Sequence, residues 1–160
     1  MMILLHLPKK IRKFIKLSNK EKVFLFQAFY LSGLFRFAIL FIPFKKLASI
    51  LGKYKEETSN ELLDEEKDTI FKVAWTVDFV CRNTLWESKC LVRALTAQRM
   101  LTTCKINSTI YLGIAKDKEN ENKLLAHAWL RTGPYIITGA RERAGFQEVA
   151  RFANFAGGKK

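Results

Sequence analysis

The sequence predicts an α+β chain, with helices first and a small antiparallel sheet after them. Three observations lead there. Apolar residues recur at helical spacing through much of the first hundred positions, and between 109 and 138 the period falls to two. Hydrophobic residues make up 49% of the 160, enough to bury a core and to exclude a disordered chain. Charge is lopsided: residues 1–55 carry 12 Lys/Arg against Glu21 alone, whereas residues 56–160 carry 16 against 14 acids. The chain therefore divides into a basic helical segment, 1–55, packed on an almost neutral body, 56–160.

The elements follow in order. Residues 9–17 (KKIRKFIKL) set Ile11, Phe14 and Ile15 on one side of a basic amphipathic helix. Ser18-Asn19-Lys20-Glu21 is a capping box, so a helix begins there and enters the apolar run from Val23 to Phe44. That run has the ~20 residues a bilayer requires. Arg36 inside it would cost ~2.5–3.5 kcal/mol at bilayer centre, and Gln27, Ser32 and Gly33 weaken it further. The preferred reading is two helices packed on the body, broken near Ser32-Gly33 and again at Pro43. Membrane-surface contact through residues 9–51 stays open beside it. Nucleic acid is not an expected partner, because the aromatics bunch in the apolar run instead of interleaving with the cations. Pro43 opens a helix over 44–51, closed by Gly52.

Residues 53–68 are the most polar stretch and read as a connector, with helix under way between Glu61 and Asp68. Over 69–82, Ile70, Val73, Ala74, Val77, Val80 and Cys81 form an inward face; Cys81 is a small buried hydrophobe and Asp78 a surface or ion-pair residue rather than a catalyst. Asn83 to Ser88 is a loop ending at an N-cap, and 89–103 a helix with Leu91, Ala94, Leu95, Gln98 and Leu101 along one side. Cys90 then takes the second helical position, where free amide N–H groups and the helix dipole favour a thiolate. Cys104, at the other end, is structural, and Trp86 anchors the helix or walls a site beside it. Strands follow at 109–115, with Ile110, Leu112 and Ile114 inward, at 124–131 and at 135–138. A charged hairpin loop (117–123) and a tight turn (132–134) join them. Residues 139–145 are loop and 146–156 close the body.

Three cysteines without a CxxC pair or neighbouring histidines make neither a disulfide framework nor a zinc site. Free thiols and the lack of a cleavable signal pattern favour a cytoplasmic location. With no P-loop and no ligand cluster, no cofactor and no metal are expected. Only His6 and His127 could serve as an imidazole base. A lone histidine in a half-apolar strand is more often a core residue than a catalyst. His127, however, lies between Ala126 and Ala128, small neighbours that leave its ring reachable, and Cys90 sits upstream at a helix N-terminus. A nucleophilic thiol needs such a base and an oxyanion site.

The segments CLVRAL (90–95), IYLGI (110–114), AHAWLRTG (126–133), IITG (136–139) and FQEVARFA (146–153) together resemble the transglutaminase-like leader peptidases of lasso-peptide biosynthesis. The likeness is to the stand-alone subunit, without a fused leader-recognition domain. It implies a transglutaminase/papain-like cysteine protease core, a nucleophile helix packed on a small antiparallel sheet. It implies leader removal from a ribosomal precursor peptide, with Cys90 as nucleophile and His127 as general base and then acid. The implied partners are the precursor peptide, a separate leader-recognition protein and an ATP-dependent lasso cyclase. The family's third member is commonly an aspartate twelve residues after the histidine, where this chain has Gly139. A hairpin turning at 132–134 brings residue 138 or 139 opposite His127, so Thr138, a backbone carbonyl or Glu142 are the candidates to orient the ring. The alternative is a weakly active or inactive protein of the same fold that binds precursor peptide or a partner enzyme.

Overall fold

The computed structural model describes residues 17–120 and 123–156. The helix expected over 9–17 lies almost entirely outside them. Helix α1, Asn19–Phe41, starts at the capping box: Glu21 N–H donates to Ser18 Oγ, and Ser18 N–H to the Glu21 carboxylate at 2.8 Å. The break expected near Ser32-Gly33 does not occur. Ser32 is buried and donates to Phe29 O at 2.9 Å, and a Cβ at Gly33 would stand 3.2 Å from the Trp86 ring. Gly33 seats a tryptophan. One glycine costs a helix only ~1 kcal/mol against alanine, which burial of the Leu25, Leu31 and Phe35 face outweighs.

Pro43 precedes α2, Phe44–Leu51, and Gly52 ends it at φ 123°. The connector then holds a strand that the sequence reading lacked: β1, Lys53–Tyr54, pairs antiparallel with the last strand. Two residues carry no period, so only the pairing reveals it. Helix α3, Asp64–Asn83, buries Ile70, Val73, Val77, Val80 and Cys81, as its spacing predicted. Three acids in its first turn suit the positive end of the helix dipole.

Helix α4, Cys90–Thr103, is buried on nearly every side, from Val92 and Leu95 to Met100 and Leu101. A helix of that kind belongs at the centre. On one side it meets α1 and α3, on the other the sheet. The sheet comprises β2 (Ser108–Lys116), β3 (Leu124–Thr132), β4 (Tyr135–Thr138) and β5 (Gln147–Asn154), in the order β1-β5-β2-β3-β4 and antiparallel throughout. The closing segment 146–156 is therefore mostly an interior strand. Alternation assigns the two faces. Ile110, Leu112, Ala128, Leu130, Ala150 and Phe152 join the core with α4. Tyr111, His127, Trp129, Arg131 and Arg151 lie on the other face. The molecule is α+β, with four helices and an antiparallel five-stranded sheet.

Candidate active site

Cys90 is the first residue of α4, and the N-cap is Lys89 rather than Ser88. Ser88 is engaged elsewhere: its hydroxyl pairs with that of Thr84 at 3.2 Å, and its carbonyl accepts from Arg93 Nε at 3.0 Å. The first N–H groups of any helix lack partners within it, and here no side chain caps them. The thiol is half-buried against the core. Arg93 also donates to Asp78 at 3.0 Å, and Asp78 holds Arg82 at 2.9 Å, so the start of α4 is tied to α3. Asp78 is thus the ion-pair residue that the sequence suggested.

His127 stands on β3, 8% exposed. Its alanine neighbours do not leave the ring open, because they point to the opposite face. What covers an imidazole on a strand is the same-face residue two positions on and whatever crosses above it. Here those are Trp129 and Phe146, with ring centroids 6.1 and 5.0 Å away. Nε2 lies 2.9 Å from Gly139 O. A carbonyl only accepts, so in the neutral ring Nε2 carries the proton and Nδ1 holds the basic lone pair. Glu142 Oε2 is 3.9 Å from the same nitrogen.

Gly139 has φ +72°, and a Cβ built there would fall 2.5 Å from Ala128 O and 2.9 Å from His127 Nε2. Only glycine admits the carbonyl in this position. The Thr138 hydroxyl is buried and has no hydrogen-bond partner among the described residues; it does not bond to His127. The structure therefore brings His127, Gly139 and Glu142 together. No hydrogen bond joins Cys90 Sγ to the imidazole among the described residues. The start of α4 and the ring approach the segment 137–142 from different sides: Arg93 lines a cavity of about 270 Å³ with Thr138, Gly139 and Glu142, and the ring touches Gly139 and Glu142.

A transglutaminase-like superfamily domain matches residues 34–151, from the middle of α1 into β5. The chain belongs to the transglutaminase-like superfamily. That superfamily includes cysteine peptidases and transglutaminases. Neither a curated protein nor a solved structure matches the chain. Cys90 and His127 both fall inside the transglutaminase-like domain.

The same domain holds a charged network that the sequence reading missed. Arg131, 9% exposed, donates to Tyr111 Oη at 2.8 Å, Gly133 O at 2.6 Å and Thr58 O at 2.5 Å, and also to Glu57 and Asn60. It clamps the connector to the sheet. The hydrogen bond from Tyr111, then the charges of Arg131 and Arg151, hold the Glu57 carboxyl below its usual range. Burial, then the bond to Glu57, pushes the Tyr111 phenol up. Beside His127 these groups line a cavity of about 470 Å³, walled by Glu57, Tyr111, Trp129, Arg131 and Phe146. The sequence signal was an arginine placed on the alternate face of an apolar strand, but its partners in the connector, Glu57, Thr58 and Asn60, lie more than seventy residues upstream.

Proposed function

We propose that this transglutaminase-like domain is a cysteine peptidase that removes the leader from a ribosomally made lasso-peptide precursor. The observation that supports it most is the pairing of chemistries within one domain. A thiol begins a helix whose amide groups no side chain caps, and the imidazole carries its basic lone pair on Nδ1 because Gly139 O takes the Nε2 proton. The joint occurrence of CLVRAL and AHAWLRTG supports the finer assignment.

In this reading Nδ1 takes the Cys90 proton and the thiolate attacks the scissile carbonyl carbon. The oxyanion is met by the Cys90 N–H and the positive end of α4. The carbon–nitrogen bond breaks, the departing amine takes the proton from the imidazolium, and a thioester remains. Water, deprotonated by the same ring, hydrolyses it through a second oxyanion. Glu142 offsets the imidazolium charge in place of an aspartate at 139. This step requires Sγ to reach Nδ1 in the complex with precursor and leader-recognition protein, because no hydrogen bond joins them among the described residues. The freed α-amine then passes to the ATP-dependent cyclase.

The test supplies the full chain with precursor and leader-recognition protein and follows leader loss by mass spectrometry. Cys90→Ala and His127→Ala should each lower the rate by ~10³-fold or more. A wild-type rate no higher than that of Cys90→Ala removes the peptidase reading. A second reading then stands, favoured by the lack of a Sγ–imidazole hydrogen bond and of a carboxylate at 139: a non-catalytic protein that binds precursor or partner enzyme. It requires precursor binding to persist in Cys90→Ala.

A further inference from the structure

The outer side of α1 carries Val23, Tyr30, Leu34, Phe37 and Phe41, spaced by steps of three, four or their sum so that they form one stripe along the helix. All are exposed, Tyr30 by 68% and Phe37 by 60%. Phe71, Trp75 and Phe79 form a matching exposed stripe on α3, with Trp75 and Phe79 stacked at 5.3 Å. Between them Phe29, exposed on the α3 side of the α1 stripe, and Phe79 line one apolar groove of about 260 Å³, which joins the two faces. An apolar surface of this extent on a soluble domain marks a docking site.

Charge names the occupant. Lys20 and Lys22 flank the start of the α1 stripe and Lys45 and Lys46 follow its end, all four on the segment whose only acid is Glu21. Residues 9–16 add Lys9, Lys10, Arg12, Lys13 and Lys16. Protein interfaces are depleted in lysine. Aromatic and aliphatic side chains flanked by lysines are what a helix presents to anionic headgroups and the acyl chains beneath them.

We infer that the joined outer faces of α1 and α3 dock on an anionic lipid bilayer, with α1 lying along the surface. By length and composition α1 could cross a membrane. Its other side argues against that. Leu25, Ala28, Leu31 and Phe35 are buried in the body, Gln27 donates to Thr103 and Arg36 pairs with Glu87 at 3.1 Å. A spanning helix would surrender all of these, whereas a surface helix keeps them and buries only the stripe. The inference does not depend on the Cys90 chemistry.

The test is co-sedimentation of the full chain with phosphatidylcholine vesicles, with and without phosphatidylglycerol, at low and high salt. Anionic vesicles should bind it at least ~tenfold more tightly than neutral ones, and salt should weaken the binding. The double substitution Tyr30→Ser, Phe37→Ser changes two exposed positions, so it should keep the thermal melt and lose binding by ~tenfold or more. Lys45→Glu with Lys46→Glu should weaken binding to anionic vesicles alone. Trp75 emission should shift to the blue on binding, read against Trp75→Phe. Four results overturn the inference: no binding to either vesicle, equal binding by the Tyr30, Phe37 variant, resistance to alkaline extraction, which would mean a spanning helix, or a lipid-free dimer that the Tyr30, Phe37 variant dissolves, which would mean a second copy covers the face.

Discussion

At Gly139 the main chain stands where the proposed peptidase chemistry needs a group to orient the ring. Its carbonyl meets Nε2 because φ is +72°, and Ala128 O and the ring itself fill the space that a Cβ would need. Gly139→Asp therefore adds strain rather than a carboxylate, costing ~1–3 kcal/mol in urea titration without raising the rate of leader removal. A faster Gly139→Asp variant would show that the turn yields and that the family's third position is merely vacant here. Glu142 is 62% exposed and lies 3.9 Å from the ring. Glu142→Gln should keep the melting temperature while slowing cleavage by up to ~tenfold, since only a charge is removed. Cys81 is buried, which pushes its thiol up, whereas Cys90 is half-buried at a helix end. Iodoacetamide at neutral pH, read by peptide mapping, should alkylate Cys90 and leave Cys81 unlabelled until the fold is lost. At this scale the residue types were legible, as were the thiol in the first turn of a helix and the glycine twelve after His127; the N-cap, Lys89 in place of Ser88, was not. Nor were the aim of a carbonyl and the cover over a ring. Those depend on a left-handed turn and on Phe146, which strand alternation does not encode.

Among the elements, the connector shows what periodicity cannot detect. Its residues 57–60 read as polar loop, yet they lie along the sheet because Arg131 binds Glu57, Thr58 O and Asn60 at once, and Thr58 N–H donates to Thr109 Oγ1 at 2.9 Å. A buried guanidinium is worth its cost only when its donors are met. Arg131→Met should lower stability by ~1–3 kcal/mol, because the buried acceptors Thr58 O and Gly133 O lose their donor, and should expose the connector to proteolysis between Glu57 and Asn60. Glu57 adds a pH signature. Its folded pKa is depressed below the ordinary 4.5, so the unfolded chain takes up a proton first as the solution is acidified. The stabilisation is complete above that value and fades as pH falls through the lower folded value. Denaturation midpoints should therefore drop below pH 4.5 more steeply in the wild type than in Glu57→Gln; parallel curves would remove Glu57 from the acid response. Helices α3 and α4 and the strand pairs β2, β3 and β4 were legible because each repeats a period over many residues or closes through a short turn, whereas α1 reads as broken at Ser32-Gly33, where it is continuous. The two-residue β1 and the place of β5 inside the sheet were not legible, since pairing across about a hundred residues leaves no local mark.

For the whole molecule, composition draws a line near residue 55 and packing ignores it. Leu25, Leu31 and Phe35 of α1 enter the core with Val77 of α3 and Leu95 of α4. Leu51 of α2 is almost wholly buried, and its carbonyl accepts from Gln98 Nε2 at 2.9 Å. Beyond it, β1 extends the sheet through β5. Each large apolar side chain buried contributes ~1.5–3 kcal/mol. The four on α1 and α2 together approach the whole ~5–15 kcal/mol by which a domain of this kind is stable. The front is thus part of the cooperative unit, and its basic charge and exposed stripe lie on the solvent side of helices whose inner side the body needs. A fragment beginning at residue 56 should show no cooperative thermal transition by circular dichroism and should expose α4 to protease, although it retains Cys90, His127 and most of the sheet. A fragment beginning at residue 34, where the family match starts, loses Leu25 and Leu31 but keeps Phe35 and Leu51. It should melt cooperatively at a lower temperature or not at all. If the 56–160 fragment instead melted within a few degrees of the full chain, the front would be an appendage, and the contacts of α1 and α2 with α3 and α4 would contribute little to holding Cys90 and His127 in place.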